Sequence, residues 1–75
     1  MITIYNPTER LVRICIPSQV GRMASAVEVL YDRRPGFIDI EASSDEVVDD
    51  PDAEKELLRE RPGLEAVGLI FGVSG

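Results

Sequence analysis

The spacing of apolar residues in this chain switches repeatedly between every second position and every third or fourth, and four of the five prolines stand at a switch. Apolar residues at every second position line one face of a strand, whereas a three-to-four spacing lines one face of a helix. A 75-residue sequence that changes period so often folds as short strands and short helices in alternation, an α+β pattern. A chain of this length forms one domain, residues 1–75, because independent domains mostly run from ~50 to ~200 residues. Size scaling assigns it ~4,600 Å² of folded surface, with roughly 60% of the extended chain's surface buried. One small core is all that this allows.

Ile2 and Ile4 alternate with Thr3 and Tyr5 and predict a first strand. Asn6-Pro7-Thr8-Glu9 is a turn, since proline presets φ at the second position and asparagine suits the first. Residues 11–16 follow as a strand, with Val12, Ile14 and Ile16 on one face and Leu11, Arg13 and Cys15 on the other. Two strands joined by four turn residues predict a hairpin. After Pro17 the period changes. Ser18 is placed to cap a helix whose stripe holds Val20, Met23, Ala24, Val27, Leu30 and Tyr31; Arg33-Arg34 suits its negative end and Pro35-Gly36 stops it.

Residues 37–42 alternate again, Ser43-Ser44-Asp45 reads as a turn, and Val47-Val48 reads as a short return strand. Asp50-Pro51 opens a second helix, with an acceptor at the cap, proline at the first helical position, and Ala53, Leu57 and Leu58 as a thin apolar edge. Pro62-Gly63 closes it, and residues 64–73 read as a final strand. Its large residues (Val67, Leu69, Phe71, Val73) oppose small ones (Ala66, Gly68, Gly72).

This order predicts a four- or five-stranded mixed sheet with two helices on one face, because each helix offers a single apolar stripe. The opening hairpin, helix, second hairpin and closing strand resemble the β-grasp (ubiquitin-like) layout. The step Arg34-Pro35-Gly36-Phe37, echoed at Arg61-Pro62-Gly63-Leu64, resembles a ferredoxin-like sheet instead. A last run that is apolar on both faces belongs in a sheet interior, where the β-grasp layout puts its final strand, so that layout is favoured over the ferredoxin-like one. The tail Phe71-Gly72-Val73-Ser74-Gly75 is similar to that of ubiquitin-like sulfur carriers, which implies activation of the C-terminal glycine carboxylate. The match departs at Ser74, where those carriers have glycine. Ferredoxin-like metal carriers hold their cargo on a Cys-x-x-Cys pair after the first strand; here Cys15 is followed by Ile16, Pro17 and Ser18, so that function does not carry over.

Charge is distributed unevenly. The net charge is −6, yet residues 1–38 carry five bases against three acids, and residues 39–75 three bases against eleven acids. Nine carboxylates fall between Asp39 and Glu56. An acidic chain is a poor binder of phosphate backbones, which need Lys and Arg, so nucleic acid is not an expected partner. The acidic window is read as a solvated face or as a docking patch for a basic protein surface. As a divalent-cation site, Asp45, Asp49, Asp50 and Asp52 supply oxygen ligands but lack the spacing and the glycine of an EF-hand loop.

Catalytic chemistry finds little support. No histidine is present, which removes the usual general base and the commonest metal ligand. The adjacent carboxylates have no apolar pocket nearby to raise a pKa, and Cys15 reads as a small buried apolar residue. No catalytic residue, metal ligand or cofactor site is assigned. The N-terminus lacks the pattern of a secretory signal, the longest apolar run (residues 66–73) is far short of a membrane span, and one cysteine forms no internal disulfide. A protein of a reducing cytoplasm, without membrane contact, is expected.

With helices on one side of the sheet, the other side would show Thr3, Tyr5, Leu11, Arg13, Cys15 and part of Ala66, Gly68 and Ile70. An apolar patch of that kind marks an interaction site. The expected function is therefore a non-enzymatic binding or assembly module. It would pair through an open sheet face or edge, with itself or with a basic protein partner, using Tyr5, Leu11 and Arg13 and an acidic region of Asp45, Glu46, Asp49 and Asp52. The alternatives are a ubiquitin-like carrier acting through Gly75, or an acidic mimic of nucleic acid that blocks a nucleic-acid-binding enzyme.

Overall fold

In the computed structural model, which describes residues 1–73, the fold is α+β, with five strands in two antiparallel sheets. Strand β1 (Ile2–Asn6) is the centre of a three-stranded sheet, flanked by β4 (Ser44–Val48) and β5 (Ile70–Val73). Strands β2 (Val12–Cys15) and β3 (Phe37–Ile40) form a second, two-stranded sheet. A single 3₁₀ turn (Pro17–Gln19) and the helices α1 (Ala26–Leu30), α2 (Pro51–Arg59) and α3 (Arg61–Ala66) complete the described elements. The expected single mixed sheet is thus divided in two, and every strand pair among the described residues is antiparallel. These pairings do not reproduce the β-grasp layout. β5, expected in a sheet interior, lies at an edge.

The predicted hairpin between the first two strands does not form, and Asn6 accounts for it. Its side chain is fully buried at the end of β1. Oδ1 accepts from the backbone N–H of Thr8 at 3.0 Å and from the Thr8 hydroxyl at 2.6 Å. Nδ2 donates to the carbonyls of Arg10 at 2.7 Å, Ile40 at 2.9 Å and Glu41 at 3.2 Å. The Asx turn at residues 6–8 redirects the chain, the bond to Arg10 closes the loop that leads into β2, and the bonds to Ile40 and Glu41 fasten it to the end of β3. β2 therefore pairs with β3 while β1 pairs elsewhere.

The helix expected from Ser18 to Tyr31 is reduced to five residues. Ser25, not Ser18, is its cap: the Ser25 hydroxyl accepts from the Glu28 N–H at 3.2 Å, and the Ser25 N–H donates to Glu28 Oε1 at 2.9 Å. This reciprocal box satisfies two backbone donors at the helix start. Gly21, with φ +87°, breaks the run before it. No residue of α1 is buried, so the helical contribution to the core comes from Ala53 and Leu57 of α2, with half-buried Leu64 of α3 against it.

The α2 start is as expected. Asp50 caps it, accepting from the Asp52 N–H at 3.1 Å, with Pro51 at the first position. The end differs. Pro62 sits in the first turn of α3, where its missing N–H costs nothing, so residues 61–66 are helical rather than extended. Gly68, with φ +102°, ends α3: its N–H donates to the Glu65 carbonyl at 3.0 Å and the Leu69 N–H to the Leu64 carbonyl at 3.3 Å. That is a Schellman cap, with buried Leu69 against half-buried Leu64 as its apolar contact.

The inward residues of both sheets meet in one core. Ile2, Ile4, Val48 and Phe71 come from the three-stranded sheet, Ile14 and Ile40 from the two-stranded one, and Ala53 and Leu57 from one face of α2. Ile16 and Leu69 fill the ends.

Candidate docking surfaces

The outer face of the three-stranded sheet follows from its register. Val47, Thr3 and Gly72 form one row across it, and Asp45, Tyr5 and Ile70 the next. Val47 and Ile70 are each more than half exposed and Tyr5 more than a third, so three large side chains stand together on a face that no described element covers. Of the residues expected on one bare face, Thr3, Tyr5 and Ile70 lie here beside Val47, whereas Ala66 belongs to α3 and Gly68 to its C-terminal cap.

Leu11 and Arg13 belong to a different surface, the outer face of the two-stranded sheet. Arg13 clasps Asp39 across the strands, Nε to Oδ1 at 2.7 Å and Nη2 to Oδ2 at 3.1 Å, and its guanidinium lies 5.9 Å from the centre of the Phe37 ring. The hydrogen bond from Arg13 holds the Asp39 carboxyl below its ordinary range. Cys15, expected to be buried, is exposed on this face: it alternates with buried Ile14 and Ile16, so the strand turns it outward.

The acidic window is less uniform than its sequence. Asp39 is spent on Arg13. Glu46 points to the opposite side of β4 from Asp45 and pairs with Arg33 at 3.1 Å. Asp50 caps α2 and also accepts from the Gln19 side chain. Glu54 lies 2.6 Å from the Met1 amino group, and Glu56 accepts from the N–H and hydroxyl of Ser18. Asp45, Asp49 and Asp52 remain exposed, with no side-chain ion pair among the described residues. No three Cys, Asp or Glu side chains among the described residues converge on a point that a metal ion could occupy.

Residues 20–36 form an arm with a pinched neck. The Ile16 N–H donates to the Gly36 carbonyl at 2.7 Å. Gly36 has φ +89°, and a Cβ there would lie 2.7 Å from Val20 backbone and side-chain atoms. Only glycine meets both conditions. Beyond the neck, hydrogen bonds from Arg22 and from the Ser25 backbone lower the Glu28 carboxyl from its ordinary 4.5 to about 2. Between the arm, β3, β4 and the start of α2 opens a cleft of about 880 Å³.

No family model, curated protein or solved structure matches this chain. No described helix is long and apolar enough to cross a membrane.

The seven expected partner-binding residues therefore do not share one surface. Tyr5 and Asp45 are cross-strand neighbours on the outer face of the three-stranded sheet, with Asp49 and Asp52 following at the start of α2. Leu11 and Arg13 lie on the other sheet, and Glu46 lines the cleft. Val47 and the arm were not foreseen. The Ser25-Ala26-Val27-Glu28 capping box was the available signal for where α1 begins. Gly75 and the sulfur-carrier comparison lie outside the described residues.

Proposed function

We propose that this chain is a non-enzymatic docking module that recruits a protein with a basic surface through the outer face of its three-stranded sheet. The observation that carries this reading is the adjacency of Tyr5, Val47 and Ile70, all exposed on one face, with Asp45 in the same row. An apolar centre with a charged margin is how interfaces are built. Asp49 follows directly on β4, Asp52 lies instead in a groove with Ser18, Gln19 and Arg22, and a net charge of −6 steers a basic partner toward the face.

A photo-crosslinking residue in place of Tyr5, expressed in the source cells, is expected to trap a basic protein, and I70S to abolish the adduct. With that protein purified, D45N/D49N is expected to slow association and to flatten its dependence on salt. An adduct formed equally well from the position of Leu11, or an association rate indifferent to D45N/D49N, would overturn the reading.

A further inference from the structure

The arm exposes more apolar surface than a free-standing segment keeps in water. Val20, Met23, Val27, Val29, Leu30 and Tyr31 are between 49% and 88% exposed. Around α1, Val27, Leu30 and Tyr31 face one way and Val29 another, so one flat contact would leave part of the helix uncovered. The chain exposes 5,237 Å² in all, against the ~4,600 Å² that its mass implies. The excess, ~650 Å², approaches the ~800 Å² that each partner brings to a standard interface.

The cleft beside the arm has complementary chemistry. Half-buried Ile38 lines it, with core residues Ile16, Val48 and Ala53 at its base. Six carboxylates from outside the arm (Asp39, Glu41, Asp45, Glu46, Asp49, Asp50) stand against one arginine from outside the arm, Arg13. β3 and β4, each with one edge unpaired among the described residues, form one side. The arm itself is apolar and carries three arginines against two carboxylates; Arg22 and Arg33 pair with Glu28 and Glu46 of the same chain, so Arg34 is the arginine that faces Glu41, Asp45 and Asp49 of a second copy's cleft. Elsewhere a chain of net charge −6 repels its own copies. The arm and the cleft are the two parts of its surface that attract each other.

We propose that the occupant of the cleft is the arm of a second copy of this chain. Each arm seats in the other's cleft about a two-fold axis, between the partner's own arm and its β3 and β4 edges. This reciprocal seating covers α1 on two sides, buries ~1,300 Å² or more in total and closes the assembly at two copies. The cleft borders the outer sheet face assigned above along β4, where Asp45, Val47 and Asp49 line its rim, whereas Tyr5 and Ile70 lie outside it.

Sedimentation equilibrium from low to high micromolar concentration decides the matter. The expected result is a reversible species of twice the 8.3 kDa chain mass. L30S/Y31S, which alters two side chains exposed in the single chain, is expected to weaken association about a hundredfold or more. Its urea midpoint at the lowest concentration should be unchanged. R34E and E41R are each expected to weaken self-association, and an equimolar mixture of the two to restore it. Y5S/I70S, on the other surface, is expected to leave it intact. A monomer at every concentration, a dimer untouched by L30S/Y31S, a dimer lost in Y5S/I70S, or a charge-swapped mixture that does not recover would each overturn the proposal.

Discussion

Replacing Asn6 would test the device that sends β1 and β2 into different sheets. In N6A, the two N–H groups of Nδ2, shared among the carbonyls of Arg10, Ile40 and Glu41, disappear, as does the acceptor for the Thr8 N–H and hydroxyl. A buried polar group left without a partner costs ~1–3 kcal/mol. With some relief from water entering the vacated space, the loss should be ~3–5 kcal/mol. A domain of this length holds a total of ~4–11 kcal/mol, from ~0.05–0.15 kcal/mol per residue, so N6A should lose about half of it. N6D separates shape from chemistry, because it keeps the volume and the Oδ1 acceptor but removes both donors. Its new carboxyl would be buried and would face three carbonyl oxygens, and both effects raise its pKa in the folded state. A group whose folded pKa lies above its unfolded one contributes stability at low pH and loses it as pH rises through the folded value. N6D should therefore match or exceed N6A near pH 4 and fall below it near pH 8. Urea midpoints of the three proteins across that range measure this, and other titrating groups cancel in the differences. N6D as stable as the parent at neutral pH, or a gap between N6D and N6A that does not change with pH, would refute the role given to Asn6.

Three further outcomes are expected. G36A combines a positive φ with a Cβ 2.7 Å from Val20, and should cost more than ~2 kcal/mol; G21A, at φ +87° but in open space, should cost ~1 kcal/mol, and equal losses in thermal or urea unfolding would mean that the arm's neck is not tight. An NMR titration should place the Glu28 midpoint at about 2; since this lies below the ordinary 4.5, its support of α1 is complete above that value and lost as pH falls through about 2, and R22M should move the midpoint upward. A midpoint near 4.5 that ignores R22M would contradict the Arg22–Glu28 contact. Finally, the exposed Cys15 should react fully with an aromatic disulfide reagent in the native protein, and a thiol released only by denaturant would place its strand the other way round.

Strand alternation was legible wherever a core side chain decided it. Of the expected same-face sets, Ile2, Ile4, Ile14, Ile16 and Ile40 are buried, Val12 and Ile38 are half-buried and Ala42 is exposed beyond the end of β3, and Asp50-Pro51 marks the start of α2. What could not be read were choices that local pattern leaves open. Two adjacent strands joined by a short turn look like a hairpin, and only the long-range bonds of Asn6 to Ile40 and Glu41 divert them. The stripe from Val20 to Tyr31 has helical spacing, but a stripe states what a helix would bury and not whether a core lies within reach. Residues 64–67 read as strand because Pro62-Gly63 can end a helix as well as begin one. The Leu64–Gly68–Leu69 arrangement of the Schellman cap was the contrary signal. The candidate site was legible in part: Tyr5 and Ile70 do share a face, but Asp45, which the sequence reads as a turn residue, is their neighbour in β4, and grouping Leu11, Arg13 and Cys15 with Tyr5 assumed one sheet where there are two.

The position of β1 bears on how this chain comes off the ribosome. The first strand made is the one that needs neighbours on both sides, and they are supplied by residues 44–48 and 70–73. Ile2 and Ile4 must therefore wait, greasy and unzipped, until residues 70–73 have emerged, and non-local pairing of this kind is slow to nucleate. Nascent chains halted before residue 70 should be open to protease along their first strand and should attract chaperones that later ones no longer need.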